Sequence, residues 1–249
     1  MSATPRLSAI LITRDEAIDL PDCLASLGFC DEIVVVDSGS TDATIAIARA
    51  AGATVVVTDE WPGFGAQKQR ALDLATGDFV LSIDADERIP AALAEEIRAA
   101  ISRGDRAGWR INRRSSFLGR FLLHGGWYPD RILRLAKREA ARFTPDRVHE
   151  RLEVAGAVGD LSADMIHHSY RSIDEVLDKG RRYGLAAAAE RRARGKRGGL
   201  FVAILRAKWA FLRHYVLQAG FLDGAHGFVA ALAKAQETFW RWLAVGWET

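Results

Sequence analysis

Four short apolar runs recur at near-constant spacing in the first third of this 249-residue chain, each followed by a stretch of different periodicity. Leu7–Thr13 (LSAILIT), Glu32–Asp37 (EIVVVD), Thr54–Val57 and Phe79–Ile83 start roughly 22–25 residues apart, which is the spacing of a βαβ unit. Runs this apolar suit strands covered on both faces. The stretches between them, Ala17–Leu27, Thr41–Ala51 and Phe64–Ala75, read as helices. In the first, Ile18, Cys23, Leu24 and Leu27 fall on or near one face. Ser40 or Thr41 is available to cap the second. Pro90 opens a further helix, where its missing N–H costs least. The pattern predicts an α/β fold built on a doubly wound, mostly parallel sheet. In such sheets ligands bind beyond the carboxyl ends of the strands.

Those ends are acidic. The first strand runs into Thr13-Arg14-Asp15-Glu16, the second into Asp37-Ser38-Gly39-Ser40-Thr41-Asp42, and the fourth into Asp84-Ala85-Asp86-Glu87. Three acidic clusters at one sheet edge repel one another, and a divalent cation or ribose hydroxyls would relieve the repulsion. Asp84 and Asp86 are two residues apart, so in an extended segment they point to one side. One can hold a ribose or base edge and the other a Mg²⁺ or Mn²⁺ that bridges a pyrophosphate, in a Lewis-acid role. With 19 aspartates in the chain, an Asp-x-Asp pair carries nothing by itself. Its position after the fourth strand, with Asp37 after the second, is what separates it from solvated loop acids.

Composition narrows the classes. Hydrophobic residues make up 49% and charged residues 27%, ordinary globular values. A net charge of +2 does not suggest a nucleic-acid binder, and no recognisable reading module accompanies the basic residues. The two cysteines, Cys23 and Cys30, form no disulfide framework and no metal-type spacing, as expected in a reducing compartment. Residues 1–6 do not begin a secretory signal pattern, and nowhere do 18 apolar residues run together. The expectation is a cytoplasmic protein without a spanning helix.

The ordered runs ITRDEA, DEIVVVDSGSTDAT, FGAQKQRAL and GDFVLSIDADE resemble the donor domain of family 2 glycosyltransferases, which have a GT-A fold. GGWYPDRILRL (Gly125–Leu135), VHE (Val148–Glu150), HHSYRS (His167–Ser172) and GFLDGAHGF (Gly220–Phe228) resemble the bacterial subgroup of lipopolysaccharide-core glucosyltransferases acting on heptose. The chain departs from that pattern at Arg14-Asp15-Glu16-Ala17, where relatives often read Lys-Asn-Glu-Glu, and at Gln69, where they often carry Asn. The resemblance implies an inverting enzyme that uses a nucleotide sugar, a UDP-hexose, with Mg²⁺ or Mn²⁺. It implies that Asp37 contacts the nucleoside and that Lys68 lies near the donor phosphate or base. It places Asp84 near ribose and metal and makes Asp86 the principal metal ligand. Thr13 and Asp15 are grouped with the nucleotide-sugar contacts. For Lys68 the competing reading is an exposed helix lysine.

Inverting transfer needs a general base for the acceptor hydroxyl, and a partly desolvated carboxylate serves best. Asp130, in Trp-Tyr-Pro-Asp, and Glu150, in Val-His-Glu, are the two candidates, with Asp130 preferred. Trp127 and Tyr128 can offer a sugar-stacking face. His149 and His167 are further metal-ligand candidates, although a lone histidine is often structural.

The last quarter changes character. Between Lys179 and His214 there are 11 Lys/Arg and one acid, Glu190. Arg191 to Gly199 reads as a basic, glycine-broken hinge with no packing signal. Phe201, Leu205, Trp209, Leu212 and Val216 then fall at helical spacing, and four of the seven tryptophans lie in the last 41 residues. Cations beside an aromatic amphipathic helix predict peripheral attachment to an anionic membrane, on the inner face of the cell membrane. The competing reading packs these helices on the catalytic domain. The expected division is a catalytic domain over residues 1–172, with a nucleotide-sugar half to about 112 and an acceptor half from about 113. A basic helical region over 173–249 follows. The acceptor expected is a cell-envelope glycan or glycolipid such as lipopolysaccharide core, with a polyprenyl-phosphate acceptor as alternative. A sugar-phosphate nucleotidyltransferase should open with a glycine-rich loop, which Thr13–Glu16 lacks. A sugar-binding protein without activity should have lost the metal acids, and Asp84 and Asp86 are both present.

Overall fold

The computed structural model describes residues 4–145 and 150–247. The chain divides into two compact units, Met1–Arg113 with Arg131–His167, and Arg114–Asp130 with His168–Thr249.

The first unit opens with β1 (Leu7–Thr13), α1 (Leu20–Ser26), β2 (Glu32–Asp37), α2 (Thr44–Ala50), β3 (Thr54–Val57), α3 (Phe64–Leu74) and β4 (Phe79–Ser82). The predicted strands and helices are all present, with shorter helix ends. α1 starts at Leu20, so Ile18 lies outside it and is exposed. Ser40 and Thr41 do not cap α2, whose N-cap is Ala43. Their hydrogen bonds go to Asp37 and Asp15 instead. β5 (Glu87–Arg88) precedes α4 (Ala91–Arg103), which Pro90 does precede as N-cap. Gly104, at φ 60, ends α4 in the left-handed region, where a side chain would be strained.

β6 (Gly108–Phe117), β7 (Arg120–Phe121), β8 (Arg131–Lys137), β9 (Ala141–Phe143), β10 (Leu152–Val154) and β11 (Val158–Tyr170) follow. Among the described residues the main sheet runs β3-β2-β1-β4-β8-β6-β11-β5, with β7 on β6, and β9 pairs with β10 separately. The β3-β2-β1-β4 ladders are parallel, and β8 joins β4 antiparallel. The α/β class is as predicted, and parallel pairing belongs to the first four strands.

The apolar runs bury both faces because successive side chains point to opposite sides. Leu7, Ala9 and Leu11 of β1 join Val35, Leu81 and the α1 and α4 residues Leu24, Leu93 and Ile97 in one core. Ile10, Val34 and Val80 face the other way, against Ala71 and Leu72 of α3. Each such aliphatic side chain contributes about 1.5–3 kcal/mol on burial. This two-sided burial holds the strand ends, and therefore their acids, in fixed register. Both cysteines are free, and burial pushes both thiols up, Cys30 to about 12.

In the second unit α5 (Ile173–Ala193) begins at Ser172, whose Oγ accepts the Glu175 N–H at 3.1 Å. α6 (Leu200–Phe211) runs into a π-helical turn, Leu212–Leu217, and a 3₁₀ turn, Gly220–Asp223, leads into α7 (Gly224–Trp247). α7 packs along both α5 and α6. Asp223 accepts N–H bonds from Leu123 (3.3 Å) and His124 (2.8 Å), and the His124 ring nitrogen lies 3.1 Å away. The GFLDGAHGF motif thus braces the two residues that lead into GGWYPD. Trp127 packs edge-on to Phe117 and Tyr170, so its ring is held in an aromatic cluster.

The predicted hinge is packed at its two ends and exposed between them, over residues 193–197. Arg191 and Arg206 stand over the Trp242 ring at 5.6 and 4.2 Å, and Arg192 donates to the Ala244 carbonyl at 2.8 Å. A Cβ on Gly198 would collide with the Trp242 carbonyl, so the glycines admit a close approach of α7. A sequence pattern of Arg and Gly carries no sign of such partners, because they come from 44 to 52 residues away.

Candidate active site

The strand ends of the first unit assemble two linked networks. In the first, β1 and β2 pair to their last residues, Thr13 with Asp37. Thr13 Oγ1 donates to Asp37 Oδ2 at 2.8 Å, and Ser40 donates its N–H to Oδ1 at 2.7 Å and its hydroxyl to Oδ2 at 2.5 Å. Asp37 is fully buried, so these bonds replace the water it loses. Asp15 stands in the left-handed region, at φ 55, and its Oδ1 accepts the Thr41 N–H at 2.7 Å. The β1 and β2 loops are therefore tied together by the acids read from sequence. Gln67, buried on α3, extends the tie to Ser38 (3.0 Å) and Thr58 (2.6 Å). Gln69 holds the Phe143 N–H of β9 at 2.8 Å.

The second network is ionic. Lys68, on the buried face of α3, lies 3.0 Å from Asp84 Oδ1 and 2.9 Å from Glu150 Oε1. It is 8% exposed, which overturns the surface-lysine reading. Arg134 Nη2 bonds Asp84 Oδ2 at 2.6 Å and Glu87 Oε1 at 2.7 Å, and Arg113 approaches the same Glu87 oxygen at 3.6 Å. Glu87 is completely buried, and its Oε2 accepts the Asp84 N–H at 2.9 Å. Desolvation opposes ionisation of Asp84, but the Arg134 and Lys68 charges outweigh it and hold the carboxyl well below the usual range. Burial likewise works against the Lys68 ammonium, and Asp84 and Glu150 reverse the effect.

Asp86 pairs with a histidine. Its Oδ2 lies 3.3 Å from Nε2 of His167, which β11 carries opposite Glu87 of β5. Among the described residues no three His, Cys, Asp or Glu side chains converge as a complete metal cage. His149 lies outside the described residues. Asp130, half-buried, ends the first segment of the second unit.

Sequence reading missed Arg134, Arg113, Glu87 and Gln67. Along β6 the step from Trp109 to Arg110 is matched on β8 by the two-residue step from Leu135 to Leu133. Arg134 is thus the extra residue of a β-bulge, a device that re-aims a side chain. Nothing in Arg-Ile-Leu-Arg-Leu announces a register irregularity. Glu87 did stand in the acidic run, and its one missed signal was position, flanked by Ala85 and Ile89, both buried.

Comparison with known proteins agrees with this geometry. The family model described as glycosyl transferase family 2 matches residues 8–152. The lipopolysaccharide core biosynthesis glycosyltransferase LpsC of Rhizobium meliloti is 33% identical over 245 residues, covering 94% of this chain and 89% of LpsC. An uncharacterized glycosyltransferase of Rickettsia conorii is 29% identical over 257 residues, with 96% and 89% covered. Among solved structures, residues 1–349 of S. aureus TarS superpose with a TM-score of 0.50 at 16% identity, covering 96% of this chain and 90% of that one. That likeness concerns the fold, which is of the GT-A type. With a family match over more than half its length and acids gathered at its parallel strand ends, this chain belongs to glycosyl transferase family 2.

Proposed function

We propose that the chain transfers a hexose from a nucleotide sugar, with inversion, to a cell-envelope glycolipid of the lipopolysaccharide-core kind. The observation that supports this most is the pairing of Asp86 with His167 beside the Lys68–Asp84–Arg134 network, at the carboxyl ends of the parallel strands. The name of LpsC, 33% identical, supports the choice of acceptor class.

A Mg²⁺ or Mn²⁺ fits the donor set. Bonds of about 2.0–2.2 Å place neighbouring ligand atoms roughly 3 Å apart, and Asp86 Oδ2 and His167 Nε2 are 3.3 Å apart. Asp84 is occupied by its two cations, so the remaining ligands would be donor phosphate oxygens and water, the usual manner for Mg²⁺. When bound, the ion supplies charge neutralisation for a departing nucleoside diphosphate. Asp37 and its hydrogen-bonded loop receive the nucleoside, with Thr13 and Asp15 shaping the floor. Lys68 would lie near the donor phosphate or base. A carboxylate, Asp130 or Glu150, takes the proton from the acceptor hydroxyl as it attacks the anomeric carbon.

The acceptor is reached at a membrane. Phe201, Leu205, Trp209, Leu212 and Val216, read from sequence as one stripe, are all exposed, Phe201 at 74% and Trp209 at 56%. Arg194, Lys196 and Arg197 are exposed close by in sequence. Among the described residues no single helix is long and apolar enough to cross a membrane; Leu200–Leu217 with Gly220–Trp247, bent by 71°, meets that measure as a pair. Attachment is peripheral in this reading, through apolar side chains and cations together.

The test is calorimetric titration with UDP-hexoses and other nucleotide sugars, with and without Mn²⁺, followed by transfer to delipidated and intact core acceptors. Metal-dependent binding of one donor and an inverted anomeric centre in the product, read by NMR, are the expected results. Retention of configuration, or binding indifferent to Mn²⁺, would overturn the mechanism or the metal respectively.

A further inference from the structure

α5 and α7 lie side by side and run in the same direction: Val176 shares a cluster with Ala230, and further along both helices Ala188 shares one with Ala244. Their shared outer side forms a trough of about 520 Å³. Leu177, Leu185, Trp240 and Trp247 are among its walls, and the small residues Gly180 and Ala233 leave its floor open. At 1.5 Å per residue, Ala233 to Trp247 spans about 21 Å, so the trough is elongated, and its lining is mostly apolar, as an extended hydrocarbon chain requires.

Its charges point the same way. Glu237, the acid in the lining, is neutralised by Lys234 at 2.9 Å and by Arg241. At the Trp247 end, the carbonyl of the lining residue Ala244 is held by Arg192. The exposed cations Arg194, Lys196 and Arg197 follow directly. Arg181, the cation in the lining, is paired with Asp178 at 3.0 Å. A trough whose Trp247 mouth is met by this cationic segment, with Gly198 and Gly199 against Gly246, is complementary to a chain that ends in an anion. Tryptophan suits such a mouth, being apolar in body with one polar edge.

We propose that the trough between α5 and α7 holds one acyl chain of an anionic phospholipid, with the headgroup at the Trp247 end beside Arg194, Lys196 and Arg197. The bound lipid is a ligand of the second unit alone. The proposal stands whether or not the sugar-transfer reading holds.

The test uses the full chain and a doxyl-labelled lysophosphatidylglycerol, kept below its micellar concentration, as quencher of tryptophan fluorescence. A Cβ on Gly180 meets no heavy atom within 4 Å, so Gly180→Leu grows into the trough without moving backbone. Ala233→Leu plugs the trough from the opposite helix and decides the matter if the first variant fails to fold. Saturable quenching is expected in the wild type, with at least tenfold weaker affinity in either plugged variant at unchanged circular dichroism. Arg194→Gln, Lys196→Gln and Arg197→Gln together should weaken the anionic probe but not its zwitterionic choline analogue. Absent quenching, or equal quenching in folded plugged variants, would overturn the proposal. Displacement by a prenyl phosphate at lower concentration than by an acyl lipid would reassign the trough to prenyl chains. A wild-type dimer that the plugged variants dissociate, seen by sedimentation velocity, would reassign it to a second copy of the chain.

Discussion

Arg134 Nη2 lies 2.6 Å from Asp84 Oδ2, and the same nitrogen reaches Glu87 Oε1 at 2.7 Å. One guanidinium therefore fixes the carboxylate expected beside the donor and neutralises an acid with no access to water. Removing one partner of a buried ion pair leaves an uncompensated charge, at a cost of about 3–5 kcal/mol. Arg134→Met should lose stability on that scale in urea unfolding. Arg134→Lys should recover only part, since an ammonium on a flexible stem does not reproduce the planar fork. Wild-type stability in Arg134→Met would mean that Arg113 alone compensates Glu87.

The same contacts make stability pH-dependent. A carboxyl depressed in the folded state contributes stability that is present above its unfolded pKa, about 3.9 for Asp, and is lost as pH falls towards the folded value. Asp84 is such a group, held down by Arg134 and Lys68. The urea midpoint should fall as pH drops below about 4, and Asp84→Asn should flatten that limb. Parallel wild-type and variant curves would sink the assignment.

Asp86 and His167 are the pair expected to take the cation. Asp86→Ala should abolish Mn²⁺ binding and transfer while leaving the thermal midpoint near that of the wild type, because Asp86 has no part in the buried Arg134 network. His167→Ala should weaken Mn²⁺ affinity on the order of 10–100-fold. Chelation of the wild type should reproduce the Asp86→Ala transfer defect, and Asp37→Ala should weaken nucleotide binding in calorimetry. Full transfer by Asp86→Ala at saturating donor would exclude the metal role.

For the base, Asp130→Asn and Glu150→Gln change proton-accepting ability with little change of shape. One of the two should lose kcat by about 10²-fold or more with donor affinity retained. Glu150→Gln carries a second signature, because Glu150 shares Lys68 with Asp84. It should also shift the pH dependence of donor binding, which Asp130→Asn should leave alone. Normal turnover in both variants would move the proton to another acceptor.

Liposome flotation tests the membrane surface. Binding should rise with anionic lipid and fall with salt, each cation near the leaflet contributing about 1 kcal/mol. Arg194, Lys196 and Arg197 are the cations to neutralise, since Arg191 and Arg192 are committed to Trp242 and the Ala244 carbonyl. Phe201→Ser with Trp209→Ser should weaken flotation even at low salt. Indifference of the intact protein to anionic vesicles would show that the acceptor comes to the enzyme in solution.

Local sequence determined much of this protein. The strands β1 to β4 were legible because a run such as Glu32-Ile33-Val34-Val35-Val36-Asp37 can satisfy both its faces only inside a sheet. Asp37, Asp84 and Asp86 followed from the rule that parallel strands present their carboxyl ends to ligand. The exposed stripe from Phe201 to Val216 was legible for the same local reason, helical period. What tertiary structure decided is every relationship that joins distant segments. Lys68 became a buried bridge because Asp84 and Glu150 meet it, 16 and 82 residues away. Arg134 reached Glu87 through a bulge that no residue in β8 signals, and the two ends of the Arg191–Gly199 run turned from hinge to packing surface because Trp242 lies against them. A charged side chain reads the same in sequence whether it meets water or a partner. Desolvation and pairing, which set its energy, depend on which remote segment the fold brings within about 4 Å.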